Sequence, residues 1–412
     1  MKWEYLTLDK LGSISRGKSK HRPRNDKILF GGKYPFIQTA DVKAANLYLT
    51  EYKNTYNEKG LEQSKLWKAG TLCITIAANI AETAILGIDA CFPDSIMGFV
   101  PFKGVSNVKF IKYAFDILKN NCRTISQGTA QDNLSWEKLS RIEFPAPPIE
   151  VQNKIVDILS AYDDLIENNQ KQIKLLEEAA QRLYKEWFVD LRFPGYENTP
   201  IIDGVPKGWK RKNVQDSLEM HIGGGWGKEV PVGSNIIVGK VIRGTDINDI
   251  KSGNFKDVPL RYLTKNDISK RKLKKYDIIF ELSNGNIENI GRCMLIDDFI
   301  LKKCGENTIC ASFCKLFRPL DKLHSVILYC EIQDMQNGGR MLPFKKQGSN
   351  GINNFAFEEF LTHEILLPND EEFIKTIYNI ISLTAVLQNQ MSELIEARER
   401  LLPKLMNGEL EV

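Results

Sequence analysis

The amino-acid sequence predicts an α+β protein in which two pseudo-repeated globular α/β domains are separated by two long helices that form an antiparallel coiled coil. Three observations predict this fold. An apolar pattern with coiled-coil spacing occurs twice, the two halves of the chain repeat one another, and a stretch rich in proline and glycine separates the halves. The predicted order along the chain is therefore domain, helix, domain, helix.

The first long helix is predicted over residues 149–190, where seam residues recur in alternating steps of four and three. The seam consists of Ile155, Leu159, Tyr162, Ile166, Asn169, Ile173, Leu176, Ala180, Leu183 and Trp187. This spacing places the side chains along one face that packs against a second helix. At about 1.5 Å per residue, such a helix is roughly 50 Å long.

The second long helix is predicted from residue 371 to about residue 405, because the seam recurs there after a shift of 221 positions. Its matching positions are Ile380, Leu383, Leu387, Gln390, Leu394 and Ala397. A single apolar stripe is common on any amphipathic helix. Here, however, Gln390 repeats the amide of Asn169, and a polar seam residue fixes register and partner at a cost in stability. We therefore expect the two helices to pair and to form a rigid spacer between the domains.

Composition indicates an ordinary globular chain. Its 412 residues are 42% hydrophobic and 26% charged, with a formal net charge of +4. The start has no apolar signal region and no apolar run has membrane-spanning length, so we expect a cytoplasmic protein with no membrane partner. The eight cysteines are scattered. Cys304, Cys310 and Cys314 come closest to a metal pattern, but they fit no zinc module and are predicted to alternate along a strand, so no metal site is expected.

The internal repeat relates several segments of the two halves. The matched pairs are Trp3–Leu11 with Trp209–Leu218, Phe36–Val42 with Val241–Ile247, Lys68–Ile74 with Lys275–Phe280, and residues 127–133 with 347–354. The second pair is predicted to be extended, the third to enter a buried strand and the fourth to form polar loops. Helical stretches are expected near residues 110–121 and 323–335.

These patterns predict five segments. Residues 1–148 form the first domain, 149–190 the first long helix, 191–208 a linker, 209–368 the second domain and 369–412 the second long helix with a C-terminal tail. The linker is rich in proline and glycine, where a helix cannot continue.

Catalytic motifs are not found in the sequence. The nearest phosphate-loop lookalike, Gly223–Lys228, lacks the glycine expected at the position of Ile222 and the Ser or Thr expected at that of Glu229. A turn is the better interpretation. No dinucleotide fingerprint, nucleophile elbow or paired catalytic carboxylates are recognised, so we expect no catalytic residues and no cofactor bound by this chain.

Basic runs beside polar loops favour DNA as a partner, because cations neutralise phosphates while amide, hydroxyl and guanidinium groups read base edges. The candidate DNA-binding residues are Arg16, Lys18, Lys20, Arg22, Arg24, Gln38, Thr39, Gln127, Thr129, Gln131, Lys228, Arg243, Thr245, Asn284, Asn286, Lys345, Lys346, Gln347, Ser349 and Asn350. A solvated surface is the alternative explanation for each basic run.

The whole pattern resembles the specificity subunits of type I restriction–modification systems. The resemblance rests on the two domains and helices and on four short stretches: Phe144–Ile149, Trp187–Asp190, Arg192–Gly195 and Val205–Trp209. It covers essentially the full chain.

This resemblance implies that each domain is a target recognition domain reading one half of a bipartite double-stranded DNA target. The helix pair would set the spacer and dock two methyltransferase (modification) subunits, which are joined in the complex by restriction (motor and nuclease) subunits. Such specificity subunits are not enzymes by themselves. S-adenosylmethionine, ATP and Mg are then expected on the partner subunits.

Two other interpretations remain open from the sequence. The chain could serve a related, type IIB-like nuclease–methyltransferase system, which only its neighbouring chains would distinguish. It could also be a two-domain enzyme or coiled-coil scaffold with no DNA role. A scaffold binds nothing in a salt-dependent way, whereas a DNA reader loses affinity steeply as salt rises.

Overall fold

Two units are distinguished by the contacts within them. Unit 1 comprises Met1–Glu167 and Leu394–Val412, and unit 2 comprises Asn168–Glu393. Both divisions fall within the long helices. The structure is a computed structural model and describes residues 3–77, 80–126, 136–348, 351–369 and 372–412.

Short strands and helices build unit 1. The strands are β1 (Glu4–Thr7), β2 (Gly12–Arg16), β3 (Phe30–Phe36), β4 (Tyr48–Leu49), β5 (Asn54–Tyr56), β6 (Leu66–Trp67), β7 (Leu72–Thr75), β8 (Thr83–Leu86), β9 (Ala90–Cys91), β10 (Ile96–Pro101) and β11 (Glu143–Ala146). The helices are α1 (Leu8–Leu11), α2 (Thr39–Ala44), α3 (Glu58–Glu62), α4 (Val108–Ser126), α5 (Trp136–Leu139) and the long α6 (Ile149–Tyr184), which enters unit 2. A 3-10 turn spans Lys27–Leu29, and a π-turn, Lys185–Val189, follows α6.

Unit 2 has the same kinds of element. Its strands are β12 (Ile201–Ile202), β13 (Val205–Pro206), β14 (Lys210–Asn213), β15 (Leu218–Gly223), β16 (Ile237–Ile242), β17 (Leu260–Leu263), β18 (Ile278–Glu281), β19 (Ser283–Asn284), β20 (Cys293–Leu295), β21 (Ile309–Cys310), β22 (Cys314–Pro319), β23 (Lys345–Lys346), β24 (Asn353–Phe355) and β25 (Glu364–Leu367). Its helices are α7 (Ile247–Lys251), α8 (Lys265–Arg271), α9 (Asp298–Cys304), α10 (Lys322–Asn337), α11 (Phe357–Leu361) and the long α12 (Glu372–Met406), which enters unit 1. Its 3-10 turns are Tyr196–Asn198, Gln215–Ser217, Gly244–Asp246, Ile287–Asn289 and Leu342–Phe344.

The strand order supports the internal repeat. One sheet runs β2-β10-β7-β8-β4 in unit 1, and its counterpart runs β15-β22-β18-β20 in unit 2. A second sheet contains β5-β3-β9 in unit 1 and β17-β16-β21 in unit 2, and in both the last pair is parallel. The pairs β1-β11 and β14-β25 also correspond. Strands β7 and β18 are buried at every residue, as the sequence predicts, and form the centre of each core.

The segments predicted to be extended after β3 and β16 turn into helices instead. Strand β3 ends at Phe36, and α2 begins at Thr39 because the Asp41 carboxylate accepts a hydrogen bond from the Gln38 amide at 2.8 Å. In unit 2, Asp246 accepts the equivalent bond from the Arg243 amide at 2.8 Å. A carboxylate that satisfies an otherwise unpaired amide in this way starts a helical turn.

The three cysteines with metal-like spacing are buried free thiols. Cys310 and Cys314 lie on β21 and β22, but Cys304 is the last residue of α9, so the prediction of one alternating strand is wrong there. Over the described ranges, no group of His, Cys, Asp and Glu side chains is arranged to hold a metal ion. None of the helices in those ranges is long and apolar enough to cross a membrane.

The long helices pair in the antiparallel sense within each unit. In unit 2, the Asn169 Nδ2 donates to the Gln390 Oε1 at 3.4 Å, which joins the two amides that the sequence matched. Farther along α6, Ile173 is buried in one cluster with Leu387. In unit 1, the Arg398 guanidinium pairs with Asp163, and Leu159, earlier on α6, shares a buried cluster with Leu405, later on α12. Residue numbers rise along one helix as they fall along the other, so the predicted antiparallel pairing is confirmed within each unit.

The predicted seam needs a correction on α12. Leu383 lies outside the contact with 48% of its surface exposed, and Gln390 is also exposed. Gln388 and Met391 are buried instead. The reason is a second contact surface: the Gln388 Nε2 donates to the backbone oxygen of Lys251 at 3.1 Å, so α12 packs on the domain of unit 2 as well as on α6.

The remaining seam residues follow the prediction to different degrees. Leu159, Ile166, Asn169, Ile173 and Leu387 are buried. Tyr162, Leu176, Ile380, Leu394 and Ala397 are half-buried.

Candidate nucleic-acid interface

A small three-stranded sheet in unit 2 brings several predicted residues together. Strand β24 pairs with β19 on one side and with β23 on the other. The sheet therefore carries Asn284 on one edge strand and Lys345 and Lys346 on the other, with the exposed Gln347 directly after the lysines. The Ser283 Oγ donates to the Asn354 Oδ1 at 2.7 Å, which fixes the pairing. The sheet therefore groups amides and cations, the chemistry that binds base edges and phosphates.

Asn286 follows this sheet and is exposed. Its Oδ1 accepts from the Glu288 amide at 3.0 Å, which caps the 3-10 turn Ile287–Asn289. The amide nitrogen of an asparagine side chain carries two donors, so Asn286 remains a candidate base reader here.

The buried carboxylate of Glu281 connects the capped turn after β16 with the three-stranded sheet. Glu281 is 2% exposed and accepts bonds from Arg292 Nε at 2.8 Å and Asn284 Nδ2 at 2.7 Å. Arg292 also donates to the Gly244 oxygen at 3.1 Å. A Cβ on Gly244 would lie 2.2 Å from the Glu281 carboxylate, so only glycine allows this approach. The turn that carries the exposed Thr245 is thereby held against Glu281, the carboxylate that Asn284 also contacts.

Arg243 is more engaged than the sequence predicts. Its Nε lies 3.0 Å from the Asp246 Oδ1, and its Nη2 lies 2.6 Å from the same atom and 2.8 Å from the Asp257 oxygen. The hydrogen bond with Asp246 raises the pKa of Arg243. Much of its donor fork is therefore used in holding the turn, and we assign Arg243 mainly to positioning.

The glycine-rich segment after β15 packs against protein backbone. The amides of Gly224 and Gly225 donate to the oxygens of Cys314 and Cys310 at 3.0 and 2.9 Å. A Cβ on Gly224 would meet the Ala311 oxygen at 2.1 Å, so the glycine serves close packing. This agrees with the interpretation as a turn and not a phosphate loop. Lys228 follows and is exposed.

Sequence reasoning missed a cation–aromatic pair in the same segment. Trp226 is 39% exposed, and the Arg261 guanidinium lies 4.7 Å from its ring centroid. Stacking of this kind presents a planar cation beside an aromatic face, which suits contacts with nucleic acid. The sequence does not predict this pair, because only the folded chain brings Arg261 to Trp226.

In unit 1 the N-terminal cations lie on one loop. Arg16 ends β2, and residues 17–26 follow as an irregular segment. The predicted cations Arg16, Lys18, Lys20, Arg22 and Arg24 are all exposed.

Hydrogen bonds fix this loop in place. The Gln63 Oε1 accepts from the amides of Lys20 and His21 at 2.7 and 3.1 Å. Arg24 is partly neutralised, because it pairs with Asp94 at 2.8 Å. Lys65, which the sequence does not single out, adds another cation near this loop. Its Nζ lies 3.4 Å from the Ser15 Oγ and 3.5 Å from the Trp67 ring centroid.

The two units place their candidate residues at equivalent points. In unit 1, the amides of Lys18 and Ile37 bond to the backbone at the end of β9. In unit 2, the Gly225 amide donates to the oxygen of Cys310, the last residue of β21. The amide of the following residue, Ala311, donates to the Ile242 oxygen at the end of β16. Gln38 is exposed and Thr39 half-buried at the start of α2 in this arrangement. A cation-bearing segment and a capped turn thus flank the same strand end in both units.

Five predicted residues lie outside the described residues. They are Gln127, Thr129, Gln131, Ser349 and Asn350.

Comparisons with known proteins agree with the resemblance drawn from the sequence. Residues 1–178 match the family described as type I restriction modification DNA specificity domain. The MjaIX specificity subunit of Methanocaldococcus jannaschii is 24% identical over 437 residues, covering 100% of this chain and 94% of that protein. The EcoR124I/EcoR124II specificity subunit of Escherichia coli is 25% identical over 206 residues, covering 46% of this chain and 48% of the relative.

A solved structure shows the same fold. The crystal structure of the type I restriction–modification S subunit from M. genitalium superposes with a TM-score of 0.57 at 14% identity, covering 98% of this chain and 96% of that one. The first 178 residues thus resemble a type I restriction–modification DNA specificity domain, and the whole chain is similar to a type I specificity subunit of Methanocaldococcus jannaschii.

Proposed function

We propose that this chain is the DNA sequence-specificity subunit of a type I restriction–modification complex, with one half of a bipartite target read by each domain. The observation that carries the proposal is the repeated arrangement in the two units: the same strand end is flanked by a cation-bearing segment and a capped turn. Phosphate contacts from the cations would position each domain, and the neighbouring polar side chains would read bases.

The segments take different roles in this proposal. Residues 1–148 and 209–368 are the two target recognition domains, joined by the linker 191–208. The helices in 149–190 and 369–412 set the spacer and dock two methyltransferase subunits. Methylation, translocation and cleavage, with S-adenosylmethionine, ATP and Mg, belong to those methyltransferase subunits and to the restriction subunits. Full-length similarity to type I specificity subunits favours this over a type IIB-like system or a scaffold.

Binding across a salt series tests the proposal. The chain is purified with the methyltransferase subunits encoded beside it, and its affinity for DNA is measured between about 50 and 200 mM salt. Six or more phosphate contacts should lower the affinity by about a thousandfold over this range. An affinity that stays constant with salt would support the scaffold interpretation.

Replacing Lys345 and Lys346 together by alanine should weaken binding to every DNA sequence by a similar factor. Lys346 now pairs at 3.5 Å with Glu359, where both side chains are more than half exposed. An exposed ion pair of this kind contributes little energy, so the Lys346 side chain can leave Glu359 and contact a DNA phosphate. Losing two phosphate contacts should lower the slope of log affinity against log salt by about two.

The control for this variant is Lys302→Ala. Lys302 is exposed on α9, which carries none of the candidate side chains. Its removal should leave the slope unchanged. An equal slope for the double variant and the wild type would argue against phosphate contacts by Lys345 and Lys346.

A further inference from the structure

A tight turn between β21 and β22 exposes an aromatic ring. The Cys314 amide donates to the Ala311 oxygen at 2.8 Å, which closes the turn. Phe313 at its tip is 59% exposed. Single exposed apolar residues are common on protein surfaces, so the exposure alone says little. The surroundings of the ring carry the argument.

Three segments of the candidate interface hold this turn. The Ala311 amide donates to the Ile242 oxygen at 2.8 Å, beside the capped turn. The Leu282 amide donates to the Phe313 oxygen at 2.9 Å, next to the strand that carries Asn284. The Gly224 amide donates to the oxygen of the residue after Phe313 at 3.0 Å, from the glycine-rich segment. The backbone of Phe313 is therefore fixed within the polar face described above.

Unit 1 makes the same turn without an exposed aromatic residue. There the Ile76 amide donates to the Ser95 oxygen at 3.0 Å, which corresponds to the bond on Phe313. The Gly17 amide donates to the Ile96 oxygen at 2.8 Å, which corresponds to the bond from Gly224. Because serine serves at this position in unit 1, the backbone turn does not require phenylalanine in unit 2. The ring is an addition that folding does not explain.

We propose that Phe313 is a specificity-determining residue of the second domain and contacts the 5-methyl group of a thymine in the major groove. This rests on the proposed function. Thymine is the base that presents a methyl group at the major-groove edge, and apolar side chains read it by direct contact. The exposed Asn286 lies shortly after Leu282, whose amide holds the turn, and is a candidate hydrogen-bond reader of the same groove. An apolar reader among polar ones thus gives the second domain a preference for thymine.

The test removes the methyl group and the ring in turn. Methylation mapping first identifies the two half-sites, and duplexes are made in which each thymine of the half-sites is replaced singly by uracil. Affinities are measured for the complex of this chain with its methyltransferase subunits. One uracil duplex should bind the wild type roughly fourfold more weakly, the factor for burying one methyl-sized group. Phe313→Ser, which installs the residue of unit 1, should bind thymine and uracil duplexes equally.

The matched control is Leu320→Ser. Leu320 is 48% exposed and follows β22 at the end opposite Phe313, so it changes a similar apolar surface on the same strand. This variant should keep the wild-type preference for thymine. The proposal is overturned if no uracil duplex weakens wild-type binding, or if Phe313→Ser keeps the preference. Failure of the proposed function would appear earlier, as a wild-type complex without sequence-specific binding.

Discussion

Duplicating one heptad in each long helix is expected to lengthen the gap between the two half-sites by about three base pairs and to leave the half-site bases unchanged. Seven helical residues add about 10 Å, and one base pair of B-DNA spans about 3.4 Å. The segments to duplicate are 166–172 and 387–393. They contain Asn169 and Gln390, whose side chains meet at 3.4 Å, so the inserted heptads would pair in the existing register.

Methylation mapping of cells that express the variant measures the gap directly. The control inserts seven residues after Glu197, which is exposed in the linker and outside both helices. That insertion should leave the gap as it is. A helix variant with altered half-site bases, or with the wild-type gap, would contradict the spacer role of the helix pair.

Replacing Glu331 by glutamine should destabilise unit 2 by about 3 kcal/mol, since it breaks a buried charged network. Glu331 on α10 is 5% exposed. It accepts from the Tyr184 hydroxyl at 2.6 Å and from the Arg340 Nη1 at 3.0 Å, and the His363 Nε2 lies 2.8 Å away. The network therefore ties the end of α6 to the domain of unit 2. Glutamine would leave Arg340 without this carboxylate partner.

The effect should depend on pH. Burial raises the pKa of Glu331, but hydrogen bonds from His363, Arg340 and Tyr184 outweigh it and lower the pKa to about 2 from the ordinary value of 4.5. A carboxyl whose pKa is lower in the folded state stabilises the fold above its ordinary pKa, and this stabilisation is lost as the pH falls toward the folded value. The difference in free energy of unfolding between wild type and variant should thus be about 2 kcal/mol smaller at about pH 3 than at about pH 7.

Urea unfolding followed by circular dichroism at the two pH values checks this prediction. Glu306→Gln is the control, because the Glu306 side chain is 92% exposed and its change should alter stability by less than about 0.5 kcal/mol. Equal stability of wild type and Glu331→Gln at neutral pH would show that the network does not hold α6 to the domain. A difference that does not change with pH would argue against the lowered pKa.

The parts of the fold that repeat locally could be predicted from the sequence. Heptad spacing is a property of neighbouring turns, so it locates both long helices and matches Asn169 with Gln390, whose side chains do meet. The predicted seam on α12 is wrong at Leu383 because that helix also packs on the end of α7 at Lys251, and periodicity does not report a second surface. The helix start at Thr39 was missed because Asp41 caps it through a local bond within an apparently extended run.

The composition of the candidate interface could be predicted from the sequence, but its detailed contacts could not. Charge and polarity selected Lys345, Lys346 and Asn284, which the structure does bring together. They also selected Arg243, whose donors are largely committed to Asp246. The exposure of Phe313 could not be inferred, because an aromatic residue beside a strand is usually buried. The exposure of Phe313 depends on contacts between residues far apart in the chain. The role of Arg243 depends on whether its guanidinium binds Asp246 or DNA.

The measurement that tests the central claim most directly is methylation mapping of DNA from cells that express this chain together with its neighbouring methyltransferase genes, compared with cells that lack the chain. The account predicts that a bipartite adenine-methylation motif with a fixed gap appears only when the chain is present. Identical methylation in both samples, with intact methyltransferase subunits confirmed, would contradict a role in DNA sequence recognition.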